Sequence, residues 1–204
     1  MTPSENSITA TRRSTKGDYL NQSAIPTVTG TGYNEDESEL LGYLKLSEKS
    51  QLTGRLARRA RSNNQIGQRN FSGPAGDLGY TWKPTSKLNV NVSASRNTSP
   101  LQDPSFSFIA ANSFSFAPTL QVTGKIAVRM RLSHDNSAYR GEGIVPANSP
   151  GRKDSVNNAE IAVDWSPRRN LSVTTSLQHQ RRSSNNALFE YDDKMGNISA
   201  SWLF

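Results

Sequence analysis

The sequence predicts an all-β chain: an antiparallel up-and-down transmembrane β-barrel of about ten strands, one domain over residues 1–204. Three observations predict it. Stretch after stretch alternates apolar and polar residues, the period of a strand with one face in each of two environments. The connections alternate short and long, as the periplasmic turns and extracellular loops of outer-membrane barrels do. The last stretch alternates to its final residue, with Gly196, Ile198, Ala200, Trp202 and Phe204 on one side.

Residues 119–133 carry the clearest single signal. Leu120, Val122, Gly124, Ile126, Val128, Met130 and Leu132 form one side, against Gln121, Thr123, Lys125, Ala127, Arg129, Arg131 and Ser133. Read as one strand, this stretch exceeds the ~5–6 residues usual in globular proteins and suits the ~9–11 that cross a bilayer.

In chain order, the turn-like Thr2-Pro3-Ser4 precedes a weak alternation over 7–13 and a polar loop over 14–35. Residues 36–46 place Leu40, Gly42, Leu44 and Leu46 opposite Tyr43 and Lys45; a turn at 47–50 leads back through 51–61, with Leu52, Gly54 and Leu56 opposite Arg55, Arg59 and Arg61. A loop at 62–74 precedes Gly76, Leu78, Tyr80 and Trp82, and Pro84 turns the chain because it presets a turn dihedral and donates no ladder bond. Residues 87–97 set Leu88, Val90, Val92 and Ala94 against Asn and Ser. After a loop at 98–104, Phe106, Phe108, Ala110, Phe114 and Phe116 lead to a turn expected at 117–118. Residues 134–155 read as a loop. Ala159, Ile161, Val163 and Trp165 then run to a turn at 166–169, a strand over 170–182, a loop over 183–194 and the final strand, 195–204.

Aromatic-x-Pro marks the expected short turns: Trp82-Lys83-Pro84, Phe116-Ala117-Pro118 and Trp165-Ser166-Pro167. With Trp202 and Phe204, these aromatics are the candidate membrane-interface girdle. Thr2-Pro3-Ser4 matches Pro84-Thr85-Ser86 in place and composition, so the chain is expected to open on such a turn.

Only 33% of the chain is hydrophobic and mean hydropathy is −0.67, which argues against spanning helices. It does not argue against strands, because a barrel gives every other residue to a polar interior. Cysteine is absent, excluding disulfides and thiolate sites. Twenty-four Lys and Arg outnumber seventeen Asp and Glu, so anionic partners are expected. Residues 1–23 show no apolar signal segment.

The segments QRNFSGPAGDLGYTWKPTSKLNV, WSPRRNLSV and RRSSNNALFEYDDKMGNISASWLF resemble the EpsL-type, exosortase-associated exopolysaccharide biosynthesis outer-membrane proteins, a family grouped with the β-barrel porins. The likeness runs from about Arg12 to Phe204, in turn and strand-end signatures. It implies the outer membrane of a Gram-negative bacterium and a role in moving exopolysaccharide. It also implies that this chain is the C-terminal part of a larger barrel, whose signal peptide and further strands lie upstream. Expected partners are polysaccharide, outer-membrane lipid and lipopolysaccharide, and the assembly machinery that reads the terminal strand.

If the apolar faces meet lipid, the opposite parity lines a lumen. It then holds Arg13, Arg55, Arg59, Arg61, Lys83, Lys125, Arg129, Arg131 and Arg182, against few acids, chiefly Asp77, Glu160 and Asp164. Lumenal rings of Arg and Lys favour anions, and guanidinium forks suit carboxylates. Arg55, Arg59, Arg61, Lys125, Arg129, Arg131 and Arg182 are therefore the candidate glycan contacts, with Tyr43 as a sugar-stacking ring. The bland reading is that these charges pair with lumenal acids.

Other patterns are weaker. The acidic run 34–39 reads as a solvated loop that could bridge cations to lipopolysaccharide. His134 and His179 lack ligand or triad spacing, and Glu190, Asp192 and Asp193 fall on an expected loop, so no enzyme, metal or cofactor is expected. Arg58-Arg59-Ala60-Arg61 lacks a nucleic-acid module around it. The alternatives are a general diffusion porin or a soluble carbohydrate-binding β-sandwich.

Overall fold

The computed structural model describes residues 6–20, 31–64, 67–101, 105–141 and 151–204. Within them the chain forms ten strands in a single sheet, each pairing antiparallel with the next in sequence. They are β1 (Ser7–Asp18), β2 (Gly32–Ser47), β3 (Ser50–Asn63), β4 (Phe71–Trp82), β5 (Leu88–Pro100), β6 (Phe108–Thr123), β7 (Ile126–Arg140), β8 (Lys153–Arg168), β9 (Leu171–Ser184) and β10 (Tyr191–Trp202). Two single turns of 3₁₀ helix, Gly67–Arg69 and Ala187–Phe189, are the only helical pieces among the described residues. This up-and-down meander is the predicted architecture, and its single sheet leaves no second layer for a sandwich. β1 and β10 are the outer members of the sheet and make no ladder with each other. The opening turn expected at Thr2-Pro3-Ser4 lies outside the described residues.

The sheet is hydrophobic on the wrong side for a soluble protein. Along β9, Leu177 is exposed while its neighbours Ser176 and Gln178 are half-buried. Leu56 is 71% exposed, Leu177 63% and Ile198 75%, whereas among the described residues the buried apolar side chains are only Phe71, Ala75, Val90, Ala110 and Ala162. Each large side chain left in water would forgo ~1.5–3 kcal/mol, so a soluble chain would bury them. Register places most of the exposed apolar residues on one continuous surface: Met130, Ile161 and Leu177 stand abreast, and Val128 stands beside Val163.

The structure corrects the stretch 119–133. It is not one strand but a hairpin, β6 turning at Gly124 and Lys125 into β7. Alternation could not reveal this turn. The pairing Thr123↔Ile126 alone would set odd residues against even and flip the face; a bulge between Gln121 and Thr123 shifts the register by one, so Gln121 meets Ala127 and Leu120 meets Val128. Even residues thus keep one face through the turn. The same arrangement recurs at β2–β3, between Lys45 and Ser47, and at β8–β9, between Trp165 and Arg168.

The turn expected at 117–118 is therefore absent. Phe116, Ala117 and Pro118 lie inside β6, with Phe116 opposite Leu132 and Pro118 opposite Val90. The β6–β7 ladder passes from Phe116↔Leu132 to Thr119↔Arg129, skipping the region where Pro118 brings no N–H.

The strands also run further toward the long loops than their alternation suggests. β2 begins at Gly32, β4 at Phe71 and β8 at Lys153, and β7 continues to Arg140, inside segments expected to be loops. Above the apolar band polar residues occupy much of both faces, so the period weakens while the backbone ladder continues. The last strand ends at Trp202; Leu203 donates to the Asn170 carbonyl at 2.9 Å, and Phe204 stands fully exposed beyond it.

The two faces predict opposite responses to one substitution. Val163→Arg, in the apolar band, should cost ~2–4 kcal/mol in urea titrations of the vesicle-refolded chain. Ser93→Arg, exposed on the polar face, should stay within ~0.5 kcal/mol.

Candidate functional site

The polar face is built from the residues between the apolar ones, and the register brings them into three zones. On β1–β4 a charge ladder forms. Glu37, on β2, lies between Arg13 of β1 and Arg59 of β3, its direct cross-strand partners, and is buried. Arg59 donates from Nε to Glu37 Oε2 at 2.6 Å, and Arg13 stands 3.7 Å from Oε1. Glu35 meets Arg61 and Arg59, each at 3.6 Å. Arg55 donates to Asp77 at 2.7 Å and lies 3.8 Å from Glu39.

On β7–β9 a second ladder forms. Arg129 grips Asp164 with two bonds, Nε to Oδ2 at 2.5 Å and Nη2 to Oδ1 at 2.9 Å, and Thr174 donates to the same carboxylate at 2.8 Å. Near the long-loop end Asp154, 4% exposed, accepts from Arg152 at 2.7 Å, Ser184 at 2.6 Å and Arg182. Arg152 is held between rings, 3.3 Å from the Phe189 centroid and 4.3 Å from that of Tyr139.

Between these ladders, β5 and β6 present mostly small polar groups and alanine, with Ile109 at the long-loop end. Asn91, Ser93 and Ser95 of β5 pair across with Ala117, Ser115 and Ser113 of β6, and Thr81 of β4 donates to Asn91 at 2.9 Å. The polar face is thus a hydroxyl and amide strip flanked by two ion-paired walls.

Each predicted glycan contact has a definite place. Arg55, Arg59 and Arg61 share the first wall; Arg129 and Arg182 share the second. Arg131 lies on the same face opposite Glu160, with no ion pair to a described residue. Lys125 does not face the strip: it occupies the β6–β7 turn, where Nζ donates to the Pro167 carbonyl at 2.9 Å. Tyr43 lies on the polar face of β2, opposite Thr53, and donates to Gln51 at 3.3 Å.

Of the girdle residues, Trp82 and Trp165 sit beside short turns and are exposed, as is Trp202 at the end of β10. Phe116 is inside its strand, and Phe204 lies past the ladder.

The acids that complete the walls are the ones sequence reading missed. Glu35 falls at the end of the loop expected over 14–35 and Glu37 and Glu39 at the start of the strand expected over 36–46, yet the acidic run 34–39 reads as solvated loop, although these acids alternate with Asn34, Asp36 and Ser38 at strand period. Asp154 was likewise assigned to a loop. With them, Arg13, Lys45, Arg55, Arg59, Arg61, Arg129, Arg131 and Arg182 face Glu35, Glu37, Glu39, Asp77, Asp135, Asp154, Glu160, Asp164 and Asp193. The polar face is close to charge balance, so the chain's surplus of seven positive charges sits elsewhere. Asp192 and Asp193 point to opposite faces, and His179 meets Asp192 at 3.0 Å on the outward one.

An antiparallel meander with lipid-type exposure outside and a hydrated, ion-paired face inside defines a porin-like β-barrel of the outer membrane. The family model described as Putative beta-barrel porin 2 matches residues 58–201, and the chain belongs to that family. Among solved structures, "NanC porin structure in rhombohedral crystal form" is similar at 10% identity and a TM-score of 0.49, over 98% of this chain and 96% of that one. No curated protein matches the chain.

The pairing predicts two directions of selectivity. Asp164→Asn should free the Arg129 charge and move the reversal potential of reconstituted channels toward anions; Arg129→Gln should move it toward cations. Glu37→Ala, which leaves Arg59 without its shortest carboxylate contact, should cost ~1–3 kcal/mol in the same urea titration.

Proposed function

We propose that this chain forms the wall of an outer-membrane passage for a polyhydroxylated solute of the exopolysaccharide class, acting without catalysis. The observation that carries the reading is the β5–β6 strip of Ser, Thr and Asn between two ion-paired walls. A sugar crossing this face exchanges water hydrogen bonds for bonds to hydroxyls and amides at little net change in free energy. The flanking arginines are held in place by carboxylates and keep further N–H groups for the solute, since a guanidinium has five donors. Arg131, with no carboxylate partner among the described residues, is the cation best placed to take an acidic sugar. The resemblance to exopolysaccharide proteins supports the same solute class. Surrounding lipid and lipopolysaccharide are the proposed partners outside, and the assembly machinery would read the terminal strand with its exposed Phe204.

A second reading, a general diffusion porin, draws on one specific observation, the near charge balance of the polar face. Planar-bilayer recordings separate the two. A glycan passage should show open-channel current interrupted by oligosaccharides of the acidic exopolysaccharide type at lower concentration than by neutral oligosaccharides of equal length. Arg131→Gln should narrow that difference. Equal block by both sugars, unchanged in Arg131→Gln, would favour general diffusion.

A further inference from the structure

The ladder between β4 and β5 stops early. It runs from Trp82↔Val90 to Gly76↔Arg96, although β4 begins at Phe71 and β5 continues to Pro100. Each strand keeps its other neighbour over that stretch: β4 stays paired to β3 as far as Arg61↔Phe71, and β5 to β6 as far as Pro100↔Phe108. Above Gly76 the sheet is therefore split into two blocks.

The blocks meet through residues of opposite parity. Phe71 and Gly73 lie across from Arg61 and Arg59, on the polar face. Thr98, Ala110 and Phe108 share parity with Ala94, Phe114 and Phe116, on the apolar face. In a continuous sheet these two groups would point to opposite sides. Instead Phe71 stacks on Phe108, with ring centroids 5.6 Å apart, and a β-carbon added to Gly73 would stand 3.4 Å from that of Thr98. Phe71, Ala75, Thr98 and Ala110 are all buried. The arrangement that brings these faces together has the long-loop ends of β5 and β6 lying over the polar face of β4. Small residues permit so close an approach, Gly73 above all.

The overlap sits against the first ion-paired wall, since Gly73 is the cross-strand partner of Arg59. It has a defined alternative. Continuing the β4–β5 register past Gly76↔Arg96 would pair Ala75 with Asn97 and Gly73 with Ser99, and would return Phe108 and Ala110 to the apolar face. The seated state buries apolar surface. The alternative adds backbone bonds, in a stretch where Pro74 has no N–H to give. Two packings of one segment, each with its own favourable contacts, make a two-state element.

We propose that the long-loop ends of β5 and β6 are a gating flap. Seated on β4 they narrow the passage; zipped onto the edge of β4 they widen it. The inference rests on the chain lining a passage, and it is independent of which solute crosses.

The chain has no cysteine, so engineered pairs report the two states. Gly73→Cys with Thr98→Cys matches the seated flap, because disulfide β-carbons stand ~3.5–4.5 Å apart. Gly73→Cys with Ser99→Cys matches the continued ladder. Full chains carrying each pair are refolded in vesicles and oxidised, bridges are read on non-reducing gels, and planar-bilayer conductance is recorded before and after reduction. The 73–98 bridge should form faster than the 73–99 bridge. Its channels should hold a low conductance that rises at least ~twofold on reduction, and 73–99 channels should hold the higher level. Phe71→Ala, which adds no new group at the overlap, should raise the time spent at the higher level at least ~threefold. Faster formation of the 73–99 bridge overturns the proposal, as does equal conductance of bridged and reduced 73–98 channels. An unchanged level distribution in Phe71→Ala does so even where a cysteine pair fails to fold. Conductance indifferent to the flap removes the gate alone, whereas no conductance from the wild-type chain removes passage and gate together.

Discussion

The backbone ladder is the constraint on which the rest of this structure depends. In hydrocarbon an unpaired N–H or C=O has no water to turn to, so a spanning segment must satisfy its own backbone or pair with a neighbour along its length. A sequence whose apolar residues come every second position would carry polar side chains on every side of a helix; pairing with the next strand is what remains. Once the strands pair, side-chain direction follows. Successive residues point to opposite sides, and the chain acquires a lipid surface and a hydrated surface without any layer packed between them. The small set of buried apolar side chains is a consequence: the hydrophobic effect acts here between protein and lipid rather than inside the protein.

That geometry also explains the charges. Carboxylates and guanidinium groups on one side of a sheet meet their direct cross-strand neighbours, as Arg13, Glu37 and Arg59 do. Partly exposed ion pairs contribute little to stability individually. Their effect is positional: they hold long side chains against the sheet. On the outward side Arg12 and Arg58 both face Ser38, and Arg181 stands across from Asp192 without an ion pair to it; the two populations of arginine, similar in the sequence, have different surroundings because parity sends them to different faces.

Much of this was legible in the residues. The strand count, the meander, the apolar face and the placing of Arg55, Arg59, Arg61, Arg129 and Arg182 on the opposite, polar face all follow from period two. What was hidden has identifiable causes. The β6–β7 turn was invisible because a bulge preserves parity through it, and Pro118 drew the expected turn to the wrong place because one missing donor is tolerated inside a strand. The upper strand ends were lost because polar residues on both faces erase the period. With them went Glu35 and Asp154, while Glu37 and Glu39, inside the expected strand 36–46, read as part of a solvated acidic run, so that a polar face near charge balance reads as strongly basic.

The parity-preserving bulges have a wider meaning. A hairpin built this way returns the chain with its apolar residues on the side from which it left, so the strand that follows needs no adjustment. Each such hairpin is a self-consistent module. Copying or deleting one changes the circumference of a barrel by two strands while leaving inside and outside unchanged everywhere else. Gene duplication acting on such a chain would enlarge or narrow a pore in whole hairpin steps, without passing through an intermediate whose faces are reversed.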